Sequence, residues 1–110
     1  FGPVSAAMLG DMGADVIKIE ALDGDVGRAI AVIASQRTAL KGGRNAYFES
    51  ANRNKRGIAV NLKTEEGREI VYKLVEQADV LIENFREGVP ERLGMDYETL
   101  KEINPRLVYG

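Results

Sequence analysis

The chain of 110 residues contains no cysteine and no histidine. Without cysteine it holds no disulfide framework and no thiolate metal site, a composition that fits the cytoplasm. Without histidine, the Ser-His-Asp and Cys-His mechanisms and the usual zinc ligands are excluded from these residues. Acid–base or nucleophilic chemistry carried here would fall to carboxylates, lysine, tyrosine or hydroxyls. No apolar run approaches the roughly 20 residues of a membrane-spanning helix, so no membrane partner is expected. The 15 Lys and Arg against 17 Asp and Glu give a formal charge of −2, without the basic excess of a nucleic-acid-binding protein.

What is present is ordinary for a globular domain: 45% hydrophobic and 29% charged residues. The length suits one domain and not two. The chain opens on Phe1-Gly2-Pro3 and closes on a strand-like Leu107-Val108-Tyr109-Gly110. The expectation from these ends is a segment of a larger protein.

Pro3 suits the first turn of a helix over 3–12, which Gly13 would stop. Val16, Ile17 and Ile19 form a β-branched run, read as a strand over 14–20. Residues 26–50 lack a clean period, and 29–37 is read as loop or short helix. Ile58 to Leu62 reads as a strand. Thr64 is an N-cap, with Glu65 and Glu66 favourably placed in the first turn. Ile70, Val71, Leu74, Val75 and Ala78 follow at helical spacing, giving a helix over 65–77. A strand over 79–83 comes next. Pro90 opens a short helix that Gly94 closes, and Asp96 caps another that ends at Pro105. Arg106 to Tyr109 is the last strand. This alternation predicts an α/β fold, a Rossmann-like, mostly parallel sheet with helices on its faces.

In open α/β sheets, ligands bind at the carboxyl ends of strands. Lys63 ends one predicted strand, and Asn84, Phe85 and Arg86 follow another. If the two strands neighbour one another, these side chains meet at one rim. The set suits a ligand with anionic groups and a flat ring: phosphate on the bases, the ring on Phe85, and an amide from Asn84. The alternative is that Asn84 and Phe85 only turn the chain. Asn52-Arg53-Asn54-Lys55-Arg56 reads either as a phosphate grip or as solvated surface. Gly2-Pro3 reads either as a phosphate site at a helix start or as a plain helix entry, the second favoured because G-x-G-x-x-G is missing.

Five stretches carry a resemblance: GPVSAAMLGDMGADVIKIE (2–20), GDVGR (24–28), NRNKRGIAVNLKTEEGREI (52–70), ADVLIENFREGVPERLGMDYETL (78–100) and NPRLVYG (104–110). In this order the chain resembles the family III CoA-transferases, which also include α-methylacyl-CoA racemases. The resemblance implies that residues 1–110 are the N-terminal part of the large CoA-binding domain of a longer enzyme, a homodimer whose two chains interlock. It implies coenzyme A as the cofactor, delivered as acyl-CoA, and a carboxylate as the second substrate. CoA would pass through an aspartyl anhydride and an enzyme–CoA thioester. The aspartate lies downstream, so no catalytic residue and no metal ligand is expected in this chain. CoA contacts are implied at Val60, Asn61, Leu62 and Lys63, at Asn84, Phe85 and Arg86, and at Arg92. Ala21 stands where some members carry arginine, and Phe1 where a smaller residue is common. Asn84 and the NRNKR run look more like transferases than racemases. A racemase fragment and a free-standing ligand- or partner-binding domain stay open as alternatives.

Overall fold

The computed structural model describes residues 2–33 and 35–110. Phe1, at the expected pocket entrance, and Ala34, inside the 29–37 segment, lie outside the described residues. The chain divides into two compact units, one built from residues 3–59 and one from residues 60–110 with Gly2.

The first unit holds helix α1 (Gly2–Asp11, from residue 3), strand β1 (Val16–Glu20), a hairpin of β2 (Val32–Ile33) and β3 (Gln36–Arg37), helix α2 (Ala46–Asn52) and strand β4 (Lys55–Ala59). β1 and β4 pair in parallel, from Val16 opposite Lys55 to Glu20 opposite Ala59. The expected strand 58–62 therefore begins and ends three residues early. The basic residues at its start are held inside the unit. Lys55 Nζ donates to the carbonyls of Pro3 and Ala51 at 2.6 and 2.8 Å. Arg56 Nε donates to Asp15 at 2.9 Å. Asn61 and Thr64 fold the far end into a turn. Arg53 likewise pairs with Asp11, so the 52–56 run spends its charge on the protein and is no phosphate grip.

Within the segment 29–37, residues 29–31 are loop as expected, whereas 32–33 and 36–37 pair as an antiparallel hairpin, Val32 opposite Arg37 and Ile33 opposite Gln36. Helix α2 was not legible in the sequence. Its N-cap is the buried Asn45, whose Oδ1 accepts from Phe48 N at 3.1 Å. The amide of the same side chain donates to the carbonyls of Arg28 and Ile30 at 3.2 and 2.8 Å. One side chain thus caps a helix and fastens the loop before the hairpin.

The second unit follows the sequence more closely. Helix α3 (Glu65–Val75) starts where expected, with Thr64 Oγ1 accepting from Gly67 N at 3.1 Å. Strand β5 (Val80–Leu81) pairs in parallel with β6 (Val108–Tyr109). Between them lie α4 (Val89–Leu93), ended by Gly94 at φ 67°, and α5 (Tyr97–Ile103), capped by Asp96. The fold is mixed α/β, with parallel strands and flanking helices, as three two-stranded sheets. Val71 and Val75 of α3 bury against α5, whose Leu100 is fully enclosed. Each such side chain contributes roughly 1.5–3 kcal/mol.

Buried Asn104 ties the helix ends together. Its Nδ2 donates to the carbonyls of Val75 and Ala78 at 2.9 and 2.8 Å, and its Oδ1 accepts from Arg106 N at 3.1 Å. It adds a second bond to the Val75 carbonyl, which already accepts from Ala78 N at 3.2 Å, and answers the Ala78 carbonyl just past the end of α3. Asn104→Asp would set an acceptor against two acceptors. It is expected to destabilise the protein by about 3 kcal/mol, read as a lower urea midpoint at unchanged slope.

Candidate functional site

All eight residues singled out from the sequence fall in the second unit. Residues 60–63 form a turn entering α3. Val60 is only 4% exposed, so it can offer a ligand little beyond its backbone. The Asn61 carbonyl accepts from both the amide and the hydroxyl of Thr64, at 3.2 and 3.1 Å. The Asn61 side chain accepts from Lys63 N at 3.1 Å. Lys63 itself is exposed, and no carboxylate pairs with it among the described residues.

This turn lies directly on α3. A Cβ built on Gly67 would sit 2.0 Å from the Asn61 oxygen, far inside any tolerable contact. Sequence reasoning passes over Gly67, since TEEGREI reads as an ordinary amphipathic helix start. The available signal was a glycine inside a helix-forming run, which costs about 1 kcal/mol against alanine and so calls for a packing reason. On the same helix, Arg68 Nη1 reaches the Leu62 carbonyl at 3.4 Å, and Tyr72 donates to the Gly94 carbonyl at 3.0 Å. A Cβ on Gly94 would meet Tyr72 Oη at 2.5 Å and Arg68 Cδ at 3.7 Å. Helix α3 therefore carries turn 60–63 at one point and the end of α4, two residues past Arg92, at another.

Asn84, Phe85 and Arg86 form an exposed loop after β5. Glu83 shapes it by accepting from the Phe85 backbone N–H. Phe85 is 45% exposed, and the Asn84 side chain has no hydrogen-bond partner among the described residues. Phe85 and Arg86 line a cavity of about 380 Å³ together with Glu83, Glu87, Glu91, Asp96, Tyr97, Glu98 and Tyr109. Lys63, Asn84 and Arg92 are not among its lining residues. Five carboxylates against one guanidinium make this cavity hostile to a phosphate. The polyanionic part of any nucleotide is better served by Lys63 and Arg92, neither of which has an acidic partner among the described residues.

Tyr109 closes the cavity floor. Its hydroxyl donates to the Met95 carbonyl at 3.0 Å and approaches Glu83 at 3.4 Å. Burial, with the Glu83 charge beside it, pushes the phenol up to about 12. In the first unit, burial raises the Asp25 carboxyl, but bonds from Lys18 and from Gly27 N outweigh that and hold it below the usual range. Glu20 takes both Nε and Nη2 of Arg28, whose guanidinium stacks 3.8 Å from the Phe48 ring centre. The GDVGR stretch is thus a structural charge cluster. No group of three or more acidic residues among those described could hold a metal ion, and no described helix is long and apolar enough to cross a membrane.

The family model for CoA-transferase family III matches residues 1–110. The chain belongs to CoA-transferase family III. Among its relatives in the family, succinyl-CoA:mesaconate CoA-transferase of Haloarcula marismortui is 45% identical, covering 99% of this chain and 27% of that protein. Formyl-CoA:oxalate CoA-transferase of Streptomyces coelicolor is 42% identical over 99% of this chain and 25% of that protein. A crystal structure of a CAIB/BAIF family protein from Brucella suis superposes with a TM-score of 0.83 at 45% identity, covering 97% of this chain and 28% of that one. The chain thus spans about a quarter of the length of these family III proteins.

Gly67→Ala is expected to destabilise the protein by at least about 2 kcal/mol through overpacking, read in urea unfolding. Tyr109 gives a pH signature. Its folded pKa of about 12 exceeds the ordinary 10.0, so its contribution is intact below pH 10 and lost as pH climbs through 12. Tyr109→Phe should remove that alkaline loss, and should remove the late phase of the phenolate absorbance titration.

Proposed function

We propose that this chain is the N-terminal, CoA-binding part of the large Rossmann-like domain of an enzyme that transfers CoA from an acyl-CoA to a carboxylate. The observation that carries this reading is the uniform similarity to transferases that differ in chemistry. One relative is named for succinyl-CoA and mesaconate and another for formyl-CoA and oxalate, yet each is more than 40% identical over 99% of this chain. A segment that stays alike while the acyl group and acceptor change suits the substrate part they share, the CoA moiety.

Residues 60–63, Asn84, Phe85, Arg86 and Arg92 would hold it. Lys63 and Arg92 supply uncompensated positive charge for phosphates. Exposed Phe85 offers a ring face for adenine, and the unpartnered Asn84 amide offers both a donor and an acceptor. The transfer proceeds through an aspartate beyond this chain. Its carboxylate attacks the thioester carbonyl, the C–S bond breaks, and CoA leaves as the thiolate from a mixed anhydride. The thiolate then attacks the aspartyl carbonyl, releasing the donor's carboxylate and leaving an enzyme–CoA thioester. The acceptor carboxylate repeats the sequence in reverse. CoA must therefore leave and return without being lost. A nucleotide held at a distance from the reacting sulfur keeps the thiolate at high effective concentration, and that is the task assigned here to this chain. The working enzyme on this reading is a cytoplasmic, interlocked homodimer.

The test is CoA transfer by the full-length protein from succinyl-CoA or formyl-CoA to a panel of carboxylates. The expected result is acceptor-dependent formation of the new thioester. Lys63→Ala and Arg92→Ala should each weaken CoA binding about tenfold. α-Proton exchange into a 2-methylacyl-CoA with no acceptor present would instead identify a racemase and overturn the transferase reading.

A further inference from the structure

We infer that Arg68 is a third phosphate-binding cation of the CoA site, acting with Lys63 and Arg92. The inference rests on the reading of those two residues given above. Arg68 stands three residues before Val71 and seven before Val75, on the flank of the buried face of α3. It is half-buried, and its Cδ lies 3.7 Å from where a Cβ on Gly94 would sit. Its bond to the Leu62 carbonyl, at 3.4 Å, is long and engages one nitrogen. A guanidinium carries five N–H donors, and the other N–H groups of Arg68 have no partner among the described residues. Glu65, Glu66 and Glu69 share its helix, yet none forms an ion pair with it.

The position matters as much as the spare donors. Arg68 bonds the residue before Lys63 and borders Gly94, two residues past Arg92, which its neighbour Tyr72 bonds directly. It stands on the helix that joins the two basic segments of the site. A partly buried planar fork with unspent donors on that helix matches the oxygen-rich face of a phosphate or pyrophosphate. The remaining unpaired cations of this unit lack that setting. Arg86 lines the acidic cavity, Lys73 is in the last turn of α3, and Arg106 is exposed after α5. Chemically the ligand is a phosphate ester of the CoA nucleotide.

The experiment is calorimetric binding of CoA to the full-length protein and its Arg68→Gln, Arg68→Lys, Lys63→Ala and Arg92→Ala variants, at several salt concentrations. Arg68→Gln should raise the Kd about tenfold and flatten its salt dependence, because one screened charge interaction is gone. Arg68→Lys should fall between wild type and Arg68→Gln, since it keeps the charge and loses the planar fork. Wild-type affinity in Arg68→Gln alongside weakened Lys63→Ala would show that Arg68 only braces the turn, overturning this inference while the site reading stands. A loss with unchanged salt dependence that lysine does not restore would assign the effect to folding and overturn it as well. Wild-type affinity in all the variants would instead remove the site reading itself, and the role of Arg68 with it.

Discussion

The Asn61 carbonyl occupies the space that a side chain on residue 67 would need. From that close approach much of the second unit follows. Turn 60–63 is pressed onto the first turn of α3 and locked there by Thr64, which donates to Asn61 and accepts from Gly67. With its start fixed, α3 directs Val71 and Val75 inward and Arg68 and Tyr72 toward Leu62 and Gly94. Asn104 then secures the other end by answering the Val75 and Ala78 carbonyls. The helix is a rod held at both termini and braced along its length. The backbone proposed to meet CoA is the part held most tightly, which suits a site that must present donors in fixed positions.

Charge is distributed unevenly along the chain. Five of the six ion pairs among the described residues lie in the first unit. There arginines and lysines are matched to Asp11, Asp15, Glu20, Asp25 and Glu49 within the fold. In the second unit Lys63, Arg68, Lys73, Arg86, Arg92 and Arg106 have no such partner among the described residues. Cations left uncompensated beside a rigid turn are available to an anionic ligand, whereas the paired ones are not. The same reasoning separates two surfaces of the second unit. The cavity lined by Phe85 concentrates carboxylates, so a polyanion is favoured at the turn and at α4 and disfavoured in that cavity.

Much of this was legible in residue order because it depends on local chemistry. Thr64 and Asp96 cap the helices they were expected to cap, Pro90 and Gly94 bracket α4, and the apolar spacing from Ile70 to Val75 marked the buried face of α3. Caps, glycine turns and helical periodicity act over three or four residues, and so they survive in sequence. The resemblance to family III CoA-transferases was legible for a different reason: motifs in a fixed order carry a common ancestry that no single interaction does.

Residue order alone carried the α/β alternation, the starts of the helices near Glu65, Pro90 and Asp96, and the family, while α3 ends two residues before the expected 77. Tertiary structure alone decided the extent of β4, the 32–37 hairpin, helix α2, the neutralisation of the 52–56 run and the role of Gly67. The extent of β4, helix α2 and the neutralised run depend on partners far along the chain: Lys55 on Pro3, Arg53 on Asp11, Arg56 on Asp15, and Asn45 on Arg28 and Ile30. A basic run reads the same whether it faces water, phosphate or a carboxylate some forty residues away. Only the folded chain brings that carboxylate within reach, and proximity, not composition, settles which charges remain free to bind.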